Sequence, residues 1–543
     1  MFRPPFFVIL CLLALSALCL RAATDVEEGN KTRTLHIGCI ADPDDLDTQL
    51  ANSQPLATLL NALFEGLTRY DPVTCEPRPG VAERWEVSSD GLAWTFHLRA
   101  DARWSNGDPV TADDFVFSFR RLLSPALAAG WANVLYPLKN ARAFNAGRVT
   151  DPALVGARAV DARTLVLTLE HPVPWLPSLL CYNPCFPVHR ASVEKLSGGG
   201  GDASARRGGA WTRPGNLVSN GPFMLAEWLP AQHIRVVKNP FWHGAAAVRL
   251  NAAVFHFVDN EDVEERMFRA GQLHVTHMLP VSKIDAYQRD PRGVFVSTPL
   301  FAVFYFAFNC ERPPFDDARV RRAFSLAIDR ERLVKYVTRG GQRPAGNFCP
   351  PGIAGFTSRT QARFDAAAAR ALLAAAGYPG GKGFPKVELL AYAVSAHRAI
   401  AEAAQEMWRR ELGVEVSIRS QEMKVAFAAM VGHDYAIAST GESGIYLDPC
   451  AFFDGKTSDS HYNLAGWKNV EYDRLVAEAG AEADAGRRNE LYQRCEQILG
   501  DECPLAPVYF MARDSLRLPN VRGWSANPLE THPLESVWLE GAK

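Results

Sequence analysis

The sequence predicts an α/β protein, and two patterns carry that prediction. In the first half of the chain, Trp94, Phe96 and Leu98 alternate with polar residues, which is the period-two pattern of a strand with one buried face. In the second half, apolar strands at 387–390 and 414–418 alternate with helices that end at glycine. Strands that alternate with helices in this way are typical of a parallel α/β sheet.

The other elements follow from local signals along the chain. A turn at Asn106-Gly107-Asp108 precedes Thr111, which can cap a helix that continues through Phe115. The remaining predicted elements are a strand at 34–39, a helix at 56–64, strands at 165–169, 234–236 and 254–257, a buried strand at 303–308, helices at 319–338, 364–376, 399–412 and 489–499, and a strand at 508–510. A polar loop at 42–54 separates the first strand from the first helix.

Composition and charge exclude two classes of partner. The chain has 543 residues, of which 48% are hydrophobic and 22% charged, so it can bury more than one core. Its formal net charge is −2 at pH 7. This balance favours neither nucleic acid nor an anionic membrane surface as a partner.

Residues 1–23 have the features of a secretory signal peptide. Arg3 is followed by an apolar run at 6–20 and by the small residues Ala22 and Ala23. The apolar run is short for a membrane span. We therefore expect an exported, periplasmic protein, with an uncut N-terminal membrane anchor as the alternative.

Cysteine spacing leaves a disulfide and a metal site open as interpretations. Cys181 and Cys185, like Cys495 and Cys503, are close enough in sequence to be bridged, although spacing alone does not fix the geometry. Cys181, Cys185 and His189 also form a C-x3-C-x3-H pattern. Two prolines interrupt any regular scaffold for a metal there, and we expect neither a metal nor another cofactor.

The sequence contains no recognisable catalytic motif. Gly441-Glu442-Ser443-Gly444 begins like a nucleophile elbow, but Ile445 stands where that motif needs glycine. The zinc-protease motif H-E-x-x-H is absent. We expect no enzymatic activity, and a secreted hydrolase is the less favoured alternative.

A long stretch of the chain resembles a known family of receptors. The segment 80–121, GVAERWEVSSDGLAWTFHLRADARWSNGDPVTADDFVFSFRR, is similar to the signature of the dipeptide- and oligopeptide-binding proteins, the extracellular receptors of ABC-type importers. The resemblance continues through LFEGLTRYDP at 63–72, LVSNGPFMLAEW at 217–228, NPFWHG at 239–244, FNCERPPFDDARVRRAFSLAIDR at 308–330, LLAAAGYP at 372–379 and PLAPVYF at 504–510. It covers nearly all of the chain after residue 34.

This resemblance implies a two-lobed periplasmic-binding-protein fold with discontinuous lobes joined by a hinge. Residues 24–69, 188–298 and 513–543 would form lobe I, with an extra domain at 70–187 packed on it, and residues 299–512 would form lobe II. The implied function is capture of short peptides between the closing lobes and delivery to the permease and ATPase subunits of an ABC importer. The protein would be a monomer.

The resemblance also implies where the ligand lies. Peptides in this family are held extended through main-chain hydrogen bonds. The residues implied near the ligand in this chain are Asn52, Ser53, Gln54, Trp131 and His397. Trp131 can instead pack in the core at helical spacing, and His397 can instead cap a helix or face solvent.

The segment ESGIYLDP at 442–449 departs from the family pattern. Ile445 stands where relatives carry the aspartate that pairs with the peptide ammonium, and Glu442 stands where they carry a tryptophan. We predict that this part of the ligand site is formed by Glu442, Ser443, Gly444, Ile445 and Asp448. Glu442 is preferred as the acid that binds the ammonium, and a solvated Glu442 is the alternative. A receptor of the same fold for an N-blocked peptide, a metal chelate or an oligosaccharide therefore stays open.

Overall fold

The computed structural model describes residues 23–39, 42–51, 56–196 and 209–541. The predicted signal peptide up to residue 22 and the predicted ligand residues Asn52, Ser53 and Gln54 lie outside the described residues. The fold is mixed α/β, as predicted, with one six-stranded sheet and two four-stranded sheets among the described residues.

The strands are β1 Thr34–Cys39, β2 Thr68–Tyr70, β3 Pro77–Pro79, β4 Ala82–Val87, β5 Ala93–Leu98, β6 Ala157–Asp161, β7 Thr164–Thr168, β8 Phe223–Leu229, β9 His233–Lys238, β10 Ala252–Phe257, β11 Phe295–Phe308, β12 Arg343–Pro344, β13 Val387–Tyr392, β14 Val416–Gln421, β15 Ile437–Ser443, β16 Leu505–Leu516, β17 Val521–Arg522 and β18 Trp538–Leu539. The α-helices are α1 Asp25–Thr32, α2 Ala57–Leu63, α3 Ala112–Leu123, α4 Ala141–Asn145, α5 Leu176–Leu179, α6 Arg190–Leu196, α7 Glu261–Arg269, α8 Ile284–Gln288, α9 Ala318–Leu326, α10 Arg330–Leu333, α11 Ala366–Ala375, α12 Ser395–Leu412, α13 Met423–Val431, α14 Cys450–Phe453, α15 Val470–Ala481 and α16 Ala485–Glu502.

The two smaller sheets lie in the first half of the chain. One has the order β1-β10-β9-β8, with β1 parallel to β10. The other has the order β4-β5-β7-β6 and is antiparallel throughout. Trp94, Phe96 and Leu98 of β5 are buried and their neighbours are partly exposed, which confirms the predicted alternation. Helix α3 begins after Thr111, whose backbone N–H donates to the Asp114 carboxylate at 2.8 Å.

The large sheet has the order β12-β16-β11-β15-β13-β14. The predicted parallel pairing holds for β13 with β14 and for β13 with β15. Strand β11 is antiparallel to both of its neighbours, β15 and β16. The sheet is therefore mixed: its β13, β14 and β15 part is parallel, and β11 runs antiparallel to the strand on each side of it.

Strands β11 and β16 join the two halves of the molecule. The predicted lobe boundaries at 298/299 and 512/513 fall inside these two paired strands. Their pairing changes register between Pro299 and Val303, where the ladder is interrupted. An interrupted ladder bends more easily than a continuous one. The exact domain boundaries stay a prediction.

Two local expectations were wrong or only partly met. The predicted helix at 319–338 is broken after α9, and Asp329 starts a new short helix by accepting a hydrogen bond from the Arg332 N–H. Cys181, Cys185, Cys495 and Cys503 are buried free thiols, so neither proposed bridge is formed. In the described part of the chain, no helix combines the length and hydropathy that a bilayer crossing requires.

Candidate functional site

The large sheet and its helices face the β4-β5-β7-β6 domain across an interface. We call the large sheet with its helices the second lobe, and the part of the molecule that contains the smaller sheets the first lobe. The Tyr70 hydroxyl of the first lobe donates to the Ile445 carbonyl oxygen of the second at 2.7 Å. The rings of Trp175 and Tyr446 lie parallel across the same interface, with centroids 6.4 Å apart and an interplanar angle of 2°. Apolar residues of both lobes form one continuous buried cluster here.

Strand β15 brings an open backbone edge to this interface. The Gly444 N–H donates to the Phe301 carbonyl oxygen at 2.8 Å. Because hydrogen-bonding direction alternates along an antiparallel strand, the backbone groups of Gly441 and Ser443 point away from β11. On that far side, β13 pairs with β15 only through residues 437 and 438. Among the described strands, none covers the edge at 439–443, so an extended ligand can pair with it.

Glycine is required at position 444 by packing rather than by backbone conformation. A Cβ added there would come within 2.3 Å of two ring carbons of Phe301. Real Cβ atoms do not approach a ring this closely, so any side chain would force Phe301 to move. The absence of a side chain at Gly444 therefore allows the chain at the end of β15 to pack closely against Phe301 of β11, beside the open edge.

Glu442 is engaged by a lysine of its own lobe. Its carboxylate forms an ion pair with Lys456 Nζ, and the Tyr305 hydroxyl lies 3.5 Å from it. The Lys456 ammonium also lies over the rings of Tyr305 and Phe348, 5.7 and 5.3 Å from their centroids. Burial raises the pKa of Glu442, and Lys456 opposes that shift. A ligand ammonium would have to share this carboxylate with Lys456.

Asp448 is committed to the structure of the second lobe. Its carboxylate accepts hydrogen bonds from the Cys450 N–H at 2.9 Å and the Tyr492 hydroxyl at 3.2 Å. Arg488 lies 3.5 Å from its other oxygen, and the side chain is almost fully buried. Burial raises the pKa of Asp448, while the Cys450 N–H and Arg488 act against that shift. These contacts leave little of the carboxylate for a ligand.

Trp131 lies at the interface with aromatic neighbours. Its ring contacts Tyr182 edge to face, with centroids 5.3 Å apart. Burial raises the pKa of the Tyr182 hydroxyl, and Cys185 and, from the second lobe, Tyr462 add smaller contributions. Trp131 is half-buried, and no described residue accepts a hydrogen bond from its Nε1. One side of the Trp131 ring packs against the core, and the indole N–H has no acceptor among the described residues.

His397 lies in an apolar environment. Its ring packs edge to face on Phe304 and Tyr392, each 5.1 Å away. Burial lowers its pKa to about 4, so the imidazole is neutral at physiological pH. Its Nδ1 has no hydrogen-bond partner among the described residues. A neutral imidazole can form a hydrogen bond to a ligand but supplies no counter-charge to a carboxylate.

A buried arginine anchors the loop that precedes residues 52–54. Arg121 of α3 binds both carboxylate oxygens of Asp47, at 2.6 and 3.2 Å, and also the Gln49 side-chain oxygen at 2.5 Å. Both charged side chains are fully buried. The predicted ligand residues Asn52, Ser53 and Gln54 follow directly and lie outside the described residues. The described part of the loop is therefore fixed to α3 through Asp47 and Gln49.

A cavity where β11 and β16 enter the first lobe was missed from the sequence. It measures about 50 Å³, enough for ordered water, and is lined by His277, Thr298, Arg513 and His532 among others. Burial lowers the pKa of His532 to about 4 and also lowers the pKa of His277 well below its ordinary value. His277 Nε2 and His532 Nδ1 have no partner among the described residues. No local motif marks these residues, because they come from four separate stretches of the chain.

Metal donors do not converge in the described part of the chain. No group of three or more His, Cys, Asp or Glu residues there is arranged to hold a metal ion. The predicted ligand residues that are described come from β15, from the segment after it, from the first turn of α12 and from the first lobe. Among the described residues, these side chains lie at or near the interface between the lobes.

Comparisons with known proteins agree with this geometry. The model of the bacterial extracellular solute-binding proteins, family 5, matches residues 76–463. A curated relative, the probable deoxycholate-binding periplasmic protein YgiS of Escherichia coli K12, is 34% identical over 495 residues, which is 89% of each chain.

Solved structures share the two-lobed fold. The structure of the Escherichia coli murein tripeptide binding protein MppA superimposes with a TM-score of 0.82 at 32% identity, covering 93% of this chain and 98% of that one. Haemophilus influenzae OppA in complex with the peptide RPPGFSPFR gives 0.81 at 31% identity, covering 94% and 99%. An unliganded open form of MppA gives a lower TM-score, 0.75, at the same 32% identity over 94% and 98%. Together with the contacts across the interface, this indicates that the lobes are closed here.

Proposed function

This chain belongs to the bacterial extracellular solute-binding proteins of family 5, and we propose that it captures short peptides between its lobes for an ABC-type importer. The family consists of receptors, so the chain is a binding protein and not an enzyme. Its structural relatives include a murein tripeptide binding protein and an OppA protein in complex with a nine-residue peptide. Peptide capture is the function that these relatives and the site geometry support together.

The observation that carries the proposal is the open edge of β15 at Gly441 and Ser443. An extended peptide that adds to a strand edge gains main-chain hydrogen bonds whatever its side chains are. Gly441 is exposed in the closed structure, so the edge is accessible there. We therefore propose binding of more than one peptide sequence, with Trp131 and Tyr182 contacting ligand side chains. The predicted roles of Asn52, Ser53, Gln54 and His397 stay part of this proposal.

The proposed role of Glu442 as the ammonium anchor depends on Lys456. Glu442 lies within the open edge of β15, and Lys456 already neutralises its carboxylate. A charge-assisted hydrogen bond to an ammonium is worth about 1.5–3 kcal/mol, and a shared carboxylate gives less. We propose that Glu442 contributes to ammonium binding only when the ligand competes with Lys456.

A second candidate ligand class follows from the same ion pair. A peptide whose amino group is blocked, or an acidic non-peptide ligand, would not need a free carboxylate at this point. The relative YgiS, named as a probable deoxycholate-binding periplasmic protein, is 34% identical to this chain over 89% of each chain. Metal chelates and oligosaccharides have no specific observation in their favour here.

We further propose that residues 1–23 export the protein to the periplasm and that it acts as a monomer. The permease and ATPase subunits of the importer are its proposed partners. Relatives named as periplasmic binding proteins support this location.

A thermal-shift screen with a mixture of di- to pentapeptides tests the proposed function. We expect peptides to raise the midpoint of unfolding, because ligands that bind only the folded state stabilise it by mass action. Mass spectrometry of the bound fraction should recover intact peptides. Peptide fragments released with turnover would instead establish a hydrolase.

A further inference from the structure

We propose that Trp175 is a closure latch, a side chain that stabilises the closed arrangement of the lobes without touching the ligand. Trp175 belongs to the first lobe and lies in the segment PVPWLP at 172–177, directly before α5. Its ring stacks on Tyr446 of the second lobe. The guanidinium of Arg488, also in the second lobe, lies 5.8 Å from the centroid of the Trp175 ring. The indole is therefore contacted by an aromatic ring and by a cation, both from the opposite lobe.

Both partners of Trp175 are held in place by their own lobe. Arg488 donates to the Glu482 carbonyl oxygen at 3.1 Å and lies 3.5 Å from the Asp448 carboxylate. Tyr446 is buried, with 8% of its surface exposed. A receiving site that is already ordered costs little additional conformational entropy when the indole arrives. This gives Asp448 a function in positioning Arg488 for closure.

The segment that carries Trp175 is also restricted in its backbone conformation. Pro174 and Pro177 flank Trp175 on each side and fix the φ angle at two of its neighbouring positions. Trp175 therefore projects from a restricted segment, and its side chain is partly buried.

A hydrogen bond next to the stack of Trp175 on Tyr446 also stabilises the closed arrangement of the lobes. The Tyr70 hydroxyl donates to the Ile445 carbonyl oxygen at 2.7 Å, one residue before Tyr446. The same hydroxyl lies 3.3 Å from the Ser178 carbonyl oxygen of its own lobe. Opening the lobes breaks the contact to Ile445 and leaves the contact to Ser178. The two cross-lobe contacts thus shift the equilibrium between open and closed forms, and apparent ligand affinity rises with the closed fraction.

Distance measurements between spin labels on the two lobes test the latch in the absence of ligand. Labels at Leu154→Cys in the first lobe and Val470→Cys in the second use positions that are 54% and 86% exposed. We expect ligand-free protein to show a closed and an open population, and Trp175→Ala to lower the closed-to-open ratio about tenfold, or about 1.4 kcal/mol. Tyr70→Phe should lower it by a smaller factor.

Trp85→Ala is the matched control, because Trp85 is a half-buried tryptophan of the same lobe that packs on Phe96, 6.1 Å away. It should leave the ratio unchanged. An unchanged ratio in Trp175→Ala, or ligand-free wild type without any closed population, would overturn the latch. This measurement needs no ligand, so it stays valid even if the proposed peptide function fails.

The affinity measurement rests on the proposed function and uses trialanine as the probe. The latch predicts about tenfold weaker binding by Trp175→Ala through faster dissociation, with unchanged stoichiometry. Equal dissociation rates for wild type and Trp175→Ala would count against it. A wild-type protein that does not bind trialanine bears on the ligand and leaves the spin-label result to decide the latch.

Discussion

Lys456 and Glu442 form an ion pair in which the lysine side chain is 4% exposed and the glutamate side chain 19%. Removing one partner leaves the other charge without its counter-ion in a mostly buried environment, which is more costly than removing both. The pair lies beside the open edge of β15. We therefore expect its charge balance to influence both the stability of the second lobe and the kind of ligand that the site accepts.

The first prediction concerns the stability of this pair. Lys456→Met should lower the free energy of unfolding by on the order of 3 kcal/mol, because Glu442 is left unpaired. The double variant Glu442→Gln with Lys456→Met should recover most of that loss. Urea unfolding of the four proteins in the cycle measures the coupling. Independent, additive effects would mean that the ion pair contributes nothing to the fold.

The same variants distinguish the two ligand classes. We expect wild type to bind free and N-acetylated trialanine with affinities within about threefold, since Lys456 already neutralises Glu442. Lys456→Met should favour the free peptide. A loss of about tenfold on acetylation in wild type that disappears in Glu442→Gln would instead make Glu442 the ammonium anchor.

The second prediction concerns the buried pair that anchors the loop before residues 52–54. Arg121→Met should destabilise the protein by about 3–5 kcal/mol, because Asp47 then stays buried without its partner. It should also weaken peptide binding by releasing the loop. Arg359→Ala is the control, since Arg359 and its partner Glu490 are each 66% exposed, and its effect should stay below about 1 kcal/mol.

Chemical unfolding and calorimetry of both variants separate these effects. A stable Arg121→Met protein with unchanged peptide affinity would contradict the anchoring role of the arginine.

The third prediction concerns a row of histidines on the first lobe. His36 Nδ1 and His256 Nε2 lie 3.0 Å apart, and the His36 ring also stacks with that of His274. Burial is the largest cause that lowers the pKa of His36, that of His256 to about 4 and that of His274 to about 3. Nearby Asp25 opposes the shift at His36, and His233 adds to the shifts at His36 and His256.

The direction in which stability changes with pH follows from which state, folded or unfolded, binds more protons. Unfolded histidine titrates near pH 6.5, so below that pH the unfolded chain takes up protons that the folded chain does not. The stability that these neutral histidines contribute is complete above about pH 6.5 and is lost as the pH falls towards 4. The loss is about 1.4 kcal/mol per pH unit for each proton taken up.

Buried carboxyl groups change the stability with pH in the opposite direction. The contribution of the histidines therefore has to be measured as a difference between wild type and a histidine variant. Burial raises the pKa of Glu264 and of Glu496 to about 7, so the folded chain takes up protons there as the pH falls. We therefore compare wild type with His256→Gln in urea unfolding between pH 7.5 and 4.5. The variant should lose less stability than wild type on acidification, and the exposed control His461→Gln should not. Parallel pH profiles for wild type and His256→Gln would refute the prediction.

The sequence predicts local elements well where the signal is local. Strand β5 and its burial follow from the alternation of Trp94, Phe96 and Leu98, and α12 ends where Gly413 adopts a left-handed conformation with φ of 68°. These features depend on neighbours within a few residues. The break after α9 was missed, since the capping role of Asp329 competes with a helical pattern that continues past it.

The candidate site depends on contacts that no local pattern contains. Tyr70 and Ile445 are 375 residues apart in sequence, yet their hydrogen bond joins the lobes. The segment at 442–449 was singled out because it departs from the family pattern. Its lysine partner, Lys456, lies outside that segment and was not foreseen. The open edge at Gly441 and Ser443 depends on where β13 stops pairing, which is a property of the assembled sheet.

We propose that the chain binds peptides along the open edge of β15. Isothermal titration calorimetry of wild type with trialanine and with a mixture of di- to pentapeptides is the decisive experiment for this claim. We predict saturable binding of one peptide per protein, and similar affinities for peptides of different side chains because the edge contacts the backbone. The absence of heat with every peptide, together with tight binding of a sugar, a metal chelate or a bile acid, would contradict the claim.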